Sequence, residues 1–272
     1  MGSIVSVDLI RRALAVNEDL LALGNDIFEA DGAVFVRNPA LTAVHDANHA
    51  MRVRVGAKED VDRLLALADD AYGTIGCRHR RFDLDLDAPP EFEARLALEG
   101  YERNDALVML LERDLIGEPK SYEIRLVDDD AAWAAYGALH ETDWHNYAER
   151  TAPGDAQEAS AWTAAAMLQN RRIKSPPARY WLAYFDGEPR AYFASWEGTD
   201  GVGQVEDLFT HEDFRHRGLA TALIHHCVAD ARAHGAGHVV IVADPSDTPK
   251  QMYAVMGFRP VAVKRSYLKK LS

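Results

Sequence analysis

The chain has 272 residues, 48% apolar and 27% charged, and a formal net charge of −13. That is the composition of a globular protein long enough to bury a full core, and no run of 18 apolar residues marks a membrane span. The acidic excess argues against nucleic acid or an anionic membrane as partner, because phosphate binding needs surplus Lys and Arg.

The charge is uneven: residues 1–118 hold 13 Lys and Arg against 23 Asp and Glu, residues 119–272 hold 17 against 20. An anionic ligand meets less repulsion on the second half. The two cysteines, Cys77 and Cys227, stand far apart and form no disulfide framework. Asp8, Arg11, Arg12, Glu18 and Asp19 interrupt the stretch a secretory signal would need, so a cytoplasmic location is expected.

In chain order, Ser6 to Leu23 reads as an amphipathic helix and Ala33 to Arg37 as a short strand ended by Asn38-Pro39. His49 to Val55 alternates as a strand, Glu59 to Tyr72 has a helical stripe, and Phe82 to Leu86 alternates strictly. Pro89-Pro90 opens a helix to Glu99, Asp105 to Leu111 is a strand, and Gly117-Glu118-Pro119 reads as a linker. The second half starts with a strand, Tyr122 to Val127, and two helices, one after Asp128–Asp130 to about Tyr147 and one from Ala156 to Arg172. Strands at Tyr180–Phe185, Arg190–Glu197 and Gly203–Thr210 follow, punctuated by the hairpin pairs Asp186-Gly187 and Asp200-Gly201. A helix from Arg217 to His234, a strand from His238 to Ala243, a helix from Thr248 to Met256 and a closing strand from Phe258 to Leu268 complete the chain.

The halves repeat. Asp87 precedes Gly100 by thirteen residues and Asp244 precedes Gly257 by thirteen; an aromatic, Tyr101 or Phe258, follows each glycine. At this offset of 157, the helix after Lys58 falls on the helix after Arg215. A duplicated domain is the expectation, with domains at 1–118 and 119–272.

Between a strand and a helix of the second half stands Arg215-His216-Arg217-Gly218-Leu219-Ala220. Unpaired amides at a helix start, with the positive end of its dipole, bind a diphosphate; a glycine lets the backbone approach it. The segment resembles the Gln/Arg-x-x-Gly-x-Gly/Ala motif of the GNAT acetyltransferase superfamily, and Tyr253 to Phe258 is similar to that family's closing Tyr-x-x-x-Gly-Phe. The resemblance covers residues 121–272. It implies an α/β (α+β) GNAT fold, a mixed, mostly antiparallel central sheet flanked by helices, here in two tandem copies.

The resemblance further implies acetyl-CoA as acyl donor, held by Leu208, Phe209, Thr210, Arg215, His216, Arg217, Gly218, Leu219, Ala220, Thr221, Asp244 and Tyr253, and transfer to a primary amine. At the offset of 157 the first half presents Lys58 to Arg63, with no glycine and three carboxylates, so it is expected to be a degenerate copy without an acetyl-CoA site.

The family's direct attack on the thioester needs a proton for the leaving thiolate, and Tyr253 is the candidate donor. For the base, Glu206 stands first and Asp207 second, with a water relay as the third route. A regular strand puts Gln204, Glu206, Leu208 and Thr210 on one face and Val205, Asp207 and Phe209 on the other. The family's Glu usually lies nearer to Gln204, a departure here.

His140, Glu141 and Trp144, with His145 and Tyr147 beside them, and Tyr192 and Trp196 form an aromatic and acidic wall suited to an amine with apolar bulk. A small-molecule acceptor is preferred to a protein lysine; the rival class is a non-catalytic acyl-CoA-binding module. Neither His45–His49 nor His225-His226-Cys227 has partners at ligand spacing, so no metal is expected.

Overall fold

A computed structural model describes residues 5–151, 156–246 and 249–271. The chain folds as two compact units: residues 1–109 with 242–250 and 260–272, and residues 110–241 with 251–259. The turn at 117–119, expected as the boundary, lies inside the second unit.

The first unit runs α1 (Val7–Ala22), β1 (Asp26–Ala30), β2 (Ala33–Arg37), β3 (His49–Met51), α2 (Lys58–Gly73), β4 (His79–Leu84), α3 (Pro90–Leu98) and β5 (Glu102–Leu111). Ser6 caps α1 by accepting from the Leu9 amide at 3.2 Å. The β1–β2 hairpin is antiparallel, β2–β3 is antiparallel and β3–β4 is parallel. Its turn is Asp31-Gly32, both at positive φ (46° and 74°), the conformation a two-residue hairpin needs. Helices α2 and α3 cover one face, where Leu64, Tyr72, Phe92 and Leu96 pack on Phe35, Ala50 and Phe82. Ala22 of α1 packs on the other face with Val36 and Met51.

The second unit contains β6 (Glu123–Leu126), α4 (Asp130–Thr151), α5 (Ala156–Lys174), β7 (Arg179–Phe185), β8 (Glu188–Thr199), β9 (Val202–Thr210), α6 (Leu219–Ala233) and β10 (His238–Ala243). Strands β6 to β9 form an antiparallel series, and β10 joins β9 in parallel. Asp186-Gly187 and Asp200-Gly201 both take positive φ, as their hairpins require. Tyr136 of α4 meets Tyr192 of β8 on one face, with ring centroids 4.4 Å apart. On the other face Asp230 of α6 accepts from Ser195 (2.5 Å) and Arg179 (2.7 Å).

Two further elements close the chain, α7 (Pro249–Val255) and β11 (Arg259–Lys270). Thr248, placed by the sequence at the start of α7, lies outside the described residues. The closing strand extends the first unit's sheet: β11 pairs antiparallel with β4, from Arg265 opposite Leu84 to Lys270 opposite His79. Lys264 reaches buried Asp83 (2.8 Å) and Asn17 (2.6 Å), and Arg265 pairs with Glu93.

The internal repeat extends further toward the N-terminus than the sequence showed. The series α1, β1, β2, β3, α2, β4, α3 follows the same order as α5, β7, β8, β9, α6, β10, α7, with β6 and α4 preceding the second series only. Matched by helix starts, Gly218 before α6 corresponds to Ala57 before α2, not to Val61. The counterpart of Arg215–Ala220 is thus Arg54–Glu59, which does hold a glycine, Gly56.

Candidate active site

Strands β9 and β10 part company early. Their paired register runs only from Val202 opposite His238 to Gln204 opposite Val240, and β9 continues six residues further. Its edge toward β10 is open from Val205 onward. On its other edge, Glu206 lies opposite Ala194 and Phe209 opposite Tyr192: three steps on β9 against two on β8. This is a β-bulge, and Asp207 sits in it at φ 62°.

The bulge overturns the simple alternation expected from the sequence. Past it the faces exchange, so Phe209 shares Tyr192's side, with ring centroids 5.3 Å apart, and thereby the side of Glu206. Leu208 and Thr210, both half-buried, do not share Glu206's face.

Beyond β9 the turn opens. His216 has φ 60° and Gly218 φ 101°, and α6 makes its first intrahelical bond from the Ala222 amide to the Gly218 carbonyl (3.0 Å). The amides of Leu219, Ala220 and Thr221 are those a helix start leaves without intrahelical acceptors. Tyr122 donates to the Arg217 carbonyl (2.7 Å), fixing the turn from β6's side. A Cβ at Gly218 would come within 3.3 Å of the Lys120 side chain. Arg215 is tied to the Thr210 carbonyl (3.2 Å), and Arg217 lies over the rings of Phe185 and Phe214, 5.1 and 5.3 Å from their centroids. Arg190 lies over Phe214 from another strand (4.5 Å). Lys120 thus stands beside the free amides of the helix start, and Arg190, Arg215 and Arg217 lie on the segments leading into it, a donor set fit for paired phosphates.

Tyr253 is buried near the end of α7, its ring edge-on to Phe258 (6.1 Å between centroids). Gly257, at φ 104°, packs against Leu111 and Ile116, and the Met256 carbonyl accepts from the Ile116 amide (2.9 Å). Asp244 follows β10, and its carboxylate accepts from the Ser246 amide (2.7 Å) and hydroxyl (2.6 Å); these bonds hold its pKa below the usual carboxylate value.

A connected polar chain lies at the bulge. Arg171 of α5 donates to Asp207 (2.9 Å) and to the Met167 carbonyl (3.3 Å), and lies 3.4 Å from His140 Nε2. His140 Nδ1 lies 3.4 Å from Tyr192 Oη, which donates to Asp143 (2.7 Å). Gln204 donates to Glu206 (3.1 Å). Burial, reinforced by the Arg171 charge, pushes His140 down to about 3, so the ring is neutral at ordinary pH. Burial opposes the Arg171 charge, but Asp207 together with Tyr136, Tyr192 and Tyr180 raises the Arg171 pKa all the same.

Of the expected acceptor residues, His140 and Tyr192 enter this chain directly. Trp144 stacks on Tyr147 (5.3 Å) and lies 6.5 Å from the His140 ring; Trp196 is buried opposite Gln204. Glu141 and His140 line a cavity of about 590 Å³ between α4 and α5, with Trp133, Leu168 and Arg172. Sequence reasoning missed Arg171 and Asp143. Arg171 lies in the run Gln169-Asn170-Arg171-Arg172, which reads as a solvated helix end, and no local pattern links it to Asp207, 36 positions away.

Splayed parallel strands, a bulge and an amide turn opening a helix together define the class of fold, that of the GNAT acetyltransferases. Residues 139–258 match the model of the acetyltransferase (GNAT) family, and the chain carries a GNAT-family domain there. A GCN5-related N-acetyltransferase from Kribbella flavida shares the fold at TM-score 0.64 and 17% identity, over 96% of each chain. A functionally unknown conserved protein from Staphylococcus epidermidis ATCC 12228 matches at TM-score 0.68 and 14% identity, over 92% of this chain and 95% of that one. A tandem GNAT protein from the clavulanic acid biosynthesis pathway matches at 0.56 and 14%, over 98% and 97%. At these identities the likeness is one of fold. No curated protein matches the sequence. Among the described residues no helix is long and apolar enough to cross a membrane.

Proposed function

We propose that the protein is an N-acetyltransferase that takes acetyl-CoA in its second unit and passes the acetyl group to the primary amine of a small molecule. One observation carries this reading: β9 leaves β10 after Gln204 while α6 opens on Gly218 at positive φ. The amides of Leu219, Ala220 and Thr221, with Lys120, Arg215 and Arg217 around them, take the diphosphate. The open edge at Leu208, Phe209 and Thr210 takes the amide-bearing arm as a further strand would be taken.

The thioester supplies an activated acyl group; the chain's own residues bind, orient and move protons. Glu206 and Asp143 attract the ammonium form of the acceptor, and Glu206 receives its proton, directly or through water. Tyr192 and Trp144 supply apolar contact. Tyr253 gives a proton to the departing thiolate. The first unit has no acetyl-CoA site and acts as a structural partner, with the protein working in the cytoplasm.

The test is release of free thiol from acetyl-CoA in the presence of a panel of primary amines. Tyr253→Phe is expected to lower turnover by about tenfold to a hundredfold, with coenzyme A affinity unchanged within about threefold. Unchanged turnover removes Tyr253 from the donor role; no thiol release with any amine, together with tight coenzyme A binding, favours a non-catalytic binding module.

A further inference from the structure

We infer that Asp207 is a positioning residue: with Arg171 it clamps the β9 bulge that carries the reaction, and the sign of this clamp is interchangeable. The inference rests on the proposed acetyltransferase reading only for what the bulge does; the clamp itself is a matter of geometry.

The first unit contains the same device with its charges exchanged. On β3, Met51 lies opposite Val34, and the Arg54 amide bonds the Gly32 carbonyl (2.8 Å), so three steps again face two. The extra residue is Arg52, at φ 54°, where β9 has Asp207 at φ 62°. Arg52 donates through Nε to Glu18 at 2.9 Å, as Arg171 donates through Nε to Asp207 at 2.9 Å. Glu18 and Arg171 occupy matching places, each in the last turn and a half of the helix that precedes the first hairpin, α1 or α5. Both are buried, at 4% and 8% exposure, and each follows a buried asparagine, Asn17 or Asn170.

Asp tolerates the left-handed region, but Arg has no such preference. That the bulge persists with Arg52 shows that the residue's own conformational taste does not make it. The common element is a hydrogen-bonded carboxyl–guanidinium pair from a buried helix position to the bulged residue. In the first unit Arg52 also bonds Asp19 (2.6 Å), a second anchor for the same guanidinium.

The clamp matters where both strand edges are open. At Asp207 and Leu208 the β8 register is interrupted, and β10 has already left. Peptide groups there keep their direction only if the bulge is held, and a thioester carbonyl reaching them needs fixed donors.

The experiment compares Asp207→Asn, Arg171→Glu and the exchanged pair Arg171→Glu/Asp207→Arg in the full chain. Readouts are thiol release from acetyl-CoA with the best amine of the panel, its pH profile, coenzyme A affinity by calorimetry, melting temperature, and amide hydrogen exchange at Leu208. Arg171→Glu sets two carboxylates against each other and is expected to lose turnover by about a hundredfold, with coenzyme A affinity held within about threefold and faster exchange at Leu208. The exchanged pair is expected to regain at least about tenfold over Arg171→Glu and to restore slow exchange. Asp207→Asn, which keeps a left-handed-tolerant residue and an acceptor oxygen, is expected to keep turnover within about tenfold and an unshifted acidic limb. The inference is overturned if the exchanged pair, melting like the single variant, exchanges at Leu208 no more slowly, or if Asp207→Asn abolishes turnover and removes the acidic limb. Should the wild type release no thiol, the acetyltransferase reading fails alone, and Leu208 exchange still decides the clamp.

Discussion

Two helix starts, built at the same step of a repeated fold, have opposite character. Before α6 the chain passes through His216 and Gly218 at positive φ, with Lys120 beside the glycine and Arg190, Arg215 and Arg217 on the segments leading into the turn. Before α2 the corresponding Ala57 is in an ordinary extended conformation (φ −66°), and the first turn carries Glu59 and Asp60. Gly56 lies nearby, but its closest neighbours are Pro89 (3.1 Å from an added Cβ) and the Glu91 carboxylate (3.4 Å), where Gly218 has the Lys120 side chain (3.3 Å). Every helix start has free amides; what favours the start of α6 as the proposed anion site is an opened turn with cations rather than carboxylates nearby.

The largest expected effect breaks this contrast outright. Gly218→Glu puts a carboxylate and a strained φ into the cradle and should weaken coenzyme A binding by at least about a hundredfold. Ala57→Glu, at the matching exposed position, should leave affinity unchanged within about twofold. Equal losses at the two positions, measured by calorimetry, would end the distinction between the units.

Acid should act next, and on both units. Burial holds His45 and His49 of the first unit at about 4 and His140 of the second at about 3. Their unfolded counterparts take up protons near pH 6.5, so stability falls as pH drops from 6.5 through these values. Burial pushes Glu18 up to about 7, despite Arg52, and this works the other way: its contribution is present at low pH and lost as pH rises through 7. Near pH 5 the four groups together leave about two protons taken up on unfolding, a slope of about 2–3 kcal/mol per pH unit. Urea titrations at pH 5 and 6 would show it as a lower midpoint at pH 5; a higher midpoint would contradict the assignment of neutral buried histidines.

The smallest effect sharpens the view of the turn. Tyr122→Phe removes the hydrogen bond to the Arg217 carbonyl, about 1 kcal/mol, and should weaken coenzyme A about fivefold with little change in melting temperature. No change in affinity would mean that the turn holds its shape without β6.

Most of the elements were legible, because amphipathic stripes and Asp-Gly pairs follow from local chemistry. Strand β1 was not: Asp26–Ala30 is an exposed edge with no buried alternation, although Asp31-Gly32 marked its hairpin. The amide turn was legible because glycine and arginine stand consecutively in it. The bulge was not, since alternation assumes a regular strand and nothing in Glu206-Asp207-Leu208 announces an inserted residue. The ion pair at its base joins positions 36 apart, and its mirror in the first unit joins Arg52 to Glu18 across 34. The partner of β11 was hidden for another reason: an alternating strand has the same pattern whichever sheet edge it joins.

The most direct measurement is a calorimetric titration of the full chain with acetyl-CoA. An opened helix start with cations nearby in one unit and an unopened, acidic one in the other predict saturation at one equivalent per chain. Two equivalents would show the first unit to be a working site, and no heat of binding at all would remove the amide turn from its role.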